Sequence, residues 1–315
     1  MSLELNNGKY MKLRDWIPFH MIDWTMLYYN PSAIHILEQN LDKITTSGWD
    51  ALAENENAVH IIEKHLDKIT TSGWDALASN QNAVYIIEKN LDKLTTSGWK
   101  SLSSNPSAIH IIEKNLDKVD WIELCYNSNA IHILENHLDT MTTAGWNALS
   151  KNPNAIHIIE QNFDKIYWWN LSKNPNAIHI LNGNLDKVDW WWLSSNPNAI
   201  HILEKNLGNS NWYKVSGNPS AISIIEKHPE MNWLGLYSNP NAIHIIETKM
   251  DKMTTSGWKL LTTNPNIFAY DYEAMKNAMY KEGGFVEELM ANRFHPKHMG
   301  MWNGWGFESP LDDDD

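Results

Sequence analysis

The sequence predicts an all-α protein: a right-handed α-solenoid of 21–25-residue repeats, each pairing an α-helix with a short α or 3-10 turn, with helical caps at both ends. Three observations predict it. An Asn recurs at positions 30, 55, 80, 105, 127, 152, 174, 196, 218, 239 and 264. A Trp stands six residues before each of them, from Trp24 to Trp258, and a Leu stands three before, with Val215 the one exception. The phrase after each Asn, N-P-N-A-I-H-I-I-E in its fullest form, has the apolar spacing of a helix with one wet face. Fixed periods of this length mark arrays of small units, none of which can bury its apolar face alone.

Each position of the unit has a physical reason. Asn is a natural N-cap, and in most units Pro follows at the first helical position, where its missing N–H costs nothing. From Asn152, at 100° per residue, Ala155, Ile156, Ile158 and Ile159 share one face, while Asn154, His157, Glu160 and Gln161 share the other. This predicts a helix of about ten residues, closed by a left-handed C-cap at Asn162, Asn184, Asn206 or His65. Trp and Leu, three apart, occupy one face of the short turn and read as core. The turn comes in two lengths, because D-W (Asp120-Trp121, Asp189-Trp190) replaces T-T-S-G-W (Thr45 to Trp49, Thr70 to Trp74).

By this reading residues 1–23 form an N-terminal cap, 24–263 the helical solenoid, 264–311 a C-terminal helical closing region and 312–315 an acidic tail. Composition narrows the function. A formal net charge of −13 repels a phosphate backbone, so nucleic acid is a disfavoured partner. Between 165 and 249 seven Lys face six acidic residues, a net of +1, so the segment holds no basic stripe. No apolar run approaches the length of a membrane span, and no basic n-region with an apolar core opens the chain, so neither a membrane nor secretion is expected. A single cysteine, Cys125, excludes an internal disulfide and fits a reducing compartment. No phosphate-binding Gly loop, no G-x-S-x-G and no isolated carboxylate pair is present, so the protein is expected not to be an enzyme and to need no cofactor and no metal.

Two surfaces stand out. Trp169, Trp191, Trp192 and Tyr213 occupy positions where other repeats carry Asp50, Asp75, Lys100, Glu123 or Asn147, so they are expected to face solvent as one aromatic patch, extended by Leu234. Clustered exposed aromatics mark interaction sites, and this patch is the candidate partner-binding surface. The second is a stripe of His35, His60, His110, His132, His157, His179, His201 and His244, each but His179 followed three residues on by Glu. Neighbours on a helix, these pairs are expected to alternate imidazole and carboxylate, and protonation below about pH 6.5 would then alter association.

The repeat N-P-N-A-I-H-I-L-E after D-W-x-x-L-S, the opening K-L-R-D-W-I-P (12–18), the ending N-P-N-I-F-A-Y-D-Y-E-A-M (264–275) and E-E-L-M-x-x-R-x-H-P (287–296) together resemble the short-repeat proteins abundant in giant DNA viruses. The resemblance covers nearly the whole chain and implies a viral origin, with residence in the host-cell cytoplasm or the virion. It names no activity. The T-T-S-G-W insertions and the G-W-G-F ending (304–307) depart from that pattern. The function expected from the sequence is a non-catalytic scaffold for protein–protein interaction with a viral or host protein. The alternatives are a structural component of a virus particle and single-stranded nucleic-acid binding by repeats. Oligomeric state is not fixed by the sequence.

Overall fold

The computed structural model describes residues 10–228 and 231–280. Among these the protein is mostly helical and repeat-like, and its β structure is two three-residue strands. No helix among the described residues is long and apolar enough to cross a membrane.

Every unit opens with a Trp-bearing helix, and both turn lengths end in a capping side chain. In the longer turn a Thr caps: the Thr142 hydroxyl accepts from Gly145 N at 3.2 Å, starting the helix Thr143–Leu149. In most of the shorter turns an Asp or Asn does so, as where Asp120 accepts from both Ile122 N and Glu123 N at 2.9 Å to start Trp121–Leu124. Two loop lengths therefore serve one scaffold because each supplies an oxygen to the orphan N–H groups of the helix start.

The second helix is shorter than the ten residues predicted. Asn152 accepts from Asn154 N through its side chain and from Ala155 N through its carbonyl, which makes a tight i→i+3 turn. Ala155 leaves the helical region at φ −91°, ψ 10°, and the α-helix runs only over Ile156–Gln161. The predicted left-handed C-caps are also corrected. His65, Asn162 and Asn206 all have φ near −136°, and their side chains turn back to the carbonyl four residues earlier, Asn162 Nδ2 to Ile158 O at 2.9 Å. A side-chain bond thus does what a positive φ would otherwise do.

The Asn residues join the units. Asn152 donates through Nδ2 to Cys125 O at 2.9 Å and to Asn127 O at 3.0 Å, both in the preceding unit, and is 1% exposed. The same link recurs from unit to unit. The first unit has no predecessor in sequence, yet Asn30 donates to Thr262 O at 2.7 Å and to Asn264 O at 3.0 Å, in the eleventh. The bonding returns to its start and closes a ring.

The strands fasten that seam. β1 (Met11–Leu13) pairs antiparallel with β2 (Phe268–Tyr270), Lys12 opposite Ala269, and Arg14 Nε donates to Asn266 O at 2.8 Å. The N-terminal segment was expected to be a helical cap; its described part is instead this strand and a 3-10 turn at Phe19–Met21. A cap shields a free end, and here the first unit packs on the last, leaving no end to shield. After β2 one helix, Tyr272–Tyr280, follows; the remainder of the predicted closing region and the acidic tail lie outside the described residues.

The position four residues after each Trp records which turn comes next. It is buried in every unit. Where a shorter turn follows, it is a hydroxyl that accepts the backbone N–H opening that turn: Ser103 from Asp120, Ser150 from Tyr167, Ser172 from Asp189, Ser194 from Asn211 and Ser216 from Asn232, at 2.7 to 3.0 Å. Thr262 accepts from Asp23 N at 3.2 Å in the same way across the seam. Where two longer turns are adjacent the residue is Ala53 or Ala78. Where a longer turn follows a shorter one it is Tyr28, Tyr237 or Cys125.

Candidate interaction surface

Many of the successive Trp-bearing helices pack against one another, and from Asn147 to Tyr213 the residues just after each Trp are linked from repeat to repeat by Asn170 donating to Asn147 O and by ring contacts. Most of the repeating Trp side chains belong to the core, four of the five in longer turns most deeply, with Trp49, Trp74, Trp99 and Trp146 at 5–9% exposure and Trp258 half-buried. Lys118, Lys165 and Lys187 lie over Trp99, Trp146 and Trp168 at 4.9–5.1 Å, covering the outer faces of those rings with a methylene stem and a cation.

The residues one and two past the Trp behave differently where shorter turns adjoin. Trp169, Trp191, Tyr213 and Leu234 are 39–46% exposed, whereas Trp192 is half-buried. The structure brings four of these five into ring contact: Trp169 meets Trp192 at 6.5 Å between centroids, and Trp191 stacks on Tyr213 at 6.3 Å. Leu234 is exposed at the equivalent position of the next repeat. Trp192 is partly covered because Lys173 lies over it at 3.4 Å and Lys214 at 4.9 Å.

These lysines were not legible in the charge count along the chain. Lys173 also covers Trp169 at 4.5 Å, Lys214 covers Trp191 and Tyr213, and Lys151 lies over Tyr126 at 5.6 Å. Rings and cations alternate from Tyr126 to Tyr213 on a protein of net charge −13. Burial holds the Lys173 ammonium below its ordinary pKa, helped by repulsion from Lys151 and Lys214 and opposed by Asp189. The missed signal was positional: Lys151 and Lys173 each directly precede an anchoring Asn, while Lys165 and Lys187 lie over the repeating Trp rings Trp146 and Trp168.

The His stripe is present on the second helices, but its pairs run between repeats. His60, His157 and His179 each approach a Glu of the preceding unit, Glu38, Glu135 and Glu160, at 2.8 Å; His132 reaches Glu113 at 2.9 Å, His244 reaches Glu226 at 3.2 Å and His110 comes to 3.6 Å from Glu88. The spacing of three along a helix is incidental, since the Glu offered by one repeat is used by the next. Asn182 takes the place of that Glu before His201. At the seam His35 meets the ring of Phe268 edge-on at 5.2 Å, and burial lowers its pKa. Among the described residues no group of three or more His, Cys, Asp and Glu converges as a metal site would require.

Comparison with protein-family models, with characterised proteins and with solved structures yields no match.

Proposed function

We propose that the protein is a non-catalytic scaffold, a helical solenoid closed on itself, that binds a protein partner across the strip from Tyr126 to Tyr213. The observation that carries this reading is the alternation of partly exposed rings with Lys151, Lys173 and Lys214. Rigid aromatic side chains contribute large contact area at low entropic cost, and lysines held among them select acidic groups. An acidic segment with apolar side chains complements such a strip. The partner in this reading is a viral or host protein, as the resemblance of the repeats leads one to expect.

The test is an affinity capture from host-like lysate with the native chain and with Trp191→Ser/Tyr213→Ser, after circular dichroism shows equal helicity. Hot-spot rings contribute roughly 2 kcal/mol each, so the double variant should weaken a genuine partner on the order of a hundred-fold or more. Selective loss of a partner supports the reading; identical capture by both proteins contradicts it. Single-stranded nucleic acid is the second reading, favoured by the same alternation of ring and cation. Tight, salt-sensitive binding of an oligothymidylate, lost in the same variant, would establish it instead.

A further inference from the structure

A cavity of about 610 Å³ opens between the fifth and sixth repeats, lined by Trp121, Ile122, Cys125, His137, Met141 and Gly145. Its origin lies in the repeat itself. A longer turn follows a shorter one at three places, and the buried residue four past the Trp must then fill the space beneath the Gly of T-T-S-G-W or T-T-A-G-W. At two of them a phenol ring fills it. A Cβ added to Gly48 would meet the Tyr28 ring at 2.7 Å, and one added to Gly257 would meet the Tyr237 ring at 2.6 Å. Tyr237 also donates its hydroxyl to Lys252 O at 2.7 Å.

At the third place the residue is Cys125, and a Cβ on Gly145 would reach its sulfur only at 3.6 Å. Met141 occupies the position of Met253: a Cβ on Gly145 would meet Met141 Cγ at 2.7 Å, and one on Gly257 would meet Met253 Sδ at 2.9 Å with the Tyr237 ring also in place, so a methionine here accompanies the ring and does not replace it. Thr140 stands where Lys252 stands, twelve residues before the anchoring Asn, and also lines the cavity. The site is therefore built like its two siblings but lacks the group that fills them.

We propose that this cavity is a binding site for a para-substituted phenol, its ring over Met141 and Gly145 and its hydroxyl donating to the Thr140 carbonyl. The phenol comes either from a free small molecule or from a tyrosine side chain, and the two share this chemistry. The proposal is independent of the aromatic strip. Burial pushes the Cys125 thiol up to about 12, so it sits beside the ligand as a neutral apolar wall and forms no bond to it.

The test is ligand-observed fluorine NMR with 4-fluorophenol, a competition arm with N-acetyl-tyrosinamide, and methionine-methyl NMR with the Met141 signal assigned by Met141→Leu. Saturable binding that moves the Met141 methyl is expected, with fluorobenzene roughly five-fold weaker for want of one hydrogen bond. Cys125→Tyr should abolish it and raise the melting temperature, because the introduced ring occupies the site. Whichever of 4-fluorophenol and the tyrosine amide binds more tightly identifies the source. No saturable binding by either, a Met141 methyl unmoved at saturation, or binding retained in folded Cys125→Tyr each overturns the proposal; the methyl readout suffices alone if Cys125→Tyr does not fold.

Discussion

Replacing Asn30 with Ala asks whether the seam is a joint like any other. Asn30 is fully buried; its Oδ1 accepts from Ser32 N at 2.9 Å and its Nδ2 donates to Thr262 O and Asn264 O. The first bond is a local cap, worth about 1 kcal/mol. The other two cross the seam, and their loss leaves buried carbonyls short of a donor, at about 1 to 1.5 kcal/mol each. Asn30→Ala should therefore cost about 3 to 4 kcal/mol, the same as Asn152→Ala, whose bonds to Asn154, Cys125 and Asn127 are equivalent. Urea unfolding followed by far-ultraviolet circular dichroism, fitted with a shared slope for the two variants, measures both. In an open array Asn30 would lose only its cap. A cost near 1 kcal/mol for Asn30→Ala beside about 3 to 4 for Asn152→Ala would refute the reasoning.

Further expectations follow from the same contacts. Ser172→Ala removes a buried hydroxyl that donates to Trp168 O at 2.7 Å and accepts from Asp189 N at 2.9 Å, and should cost about 1 to 3 kcal/mol in the same unfolding assay. Gly235→Ala would drive a Cβ into Tyr213 O and should destabilise despite the better helix propensity of Ala, by about 2 kcal/mol or more; Gly208→Ala, with nothing within 4 Å, should be neutral or stabilising by up to about 1 kcal/mol. Burial lowers the His35 pKa, with Glu38 opposing, so the unfolded chain binds the proton more readily. The stability held by neutral His35 is complete above its unfolded pKa of about 6.5 and is lost as pH falls through that value towards the folded one. Wild type should accordingly lose more stability than His35→Phe between pH 7.5 and 5.5, as read by thermal melts at each pH; parallel losses would contradict this.

The repeat was legible because each of its parts answers to a local rule: Asn as cap, Trp and Leu three apart, and an apolar face on the second helix. The length of that helix was not, since the i→i+3 turn at Asn and Ala depends on a side-chain bond that competes with the α pattern. Ring closure escaped because it depends on accumulated curvature across eleven units, though Asp23-Trp24 already spells the shorter turn and Thr262 the hydroxyl that precedes one. The exposed rings of the strip could be found from substitution within the repeat, since their positions carry charge elsewhere, although Asp50 and Asp75 are themselves half-buried and accept from Thr70 and Thr95 of the next repeat. The lysines among them could not, because a net charge summed along sequence mixes side chains on the strip with others over the repeating Trp rings. The Cys125 cavity was invisible for a different reason: it appears only when the residue four past the Trp is compared at junctions of one kind.

The most direct measurement is the distance between spin labels at Lys12→Cys and Tyr270→Cys by double electron–electron resonance, both positions being exposed on the paired strands. Paired strands lie about 5 Å apart, and label arms extend this only to roughly 20 Å, so a single narrow distribution below about 25 Å is expected. Eleven repeats stacked at helix spacings of about 8–10 Å without closure would separate the labels by several tens of ångströms, and a broad distribution centred there would contradict the ring.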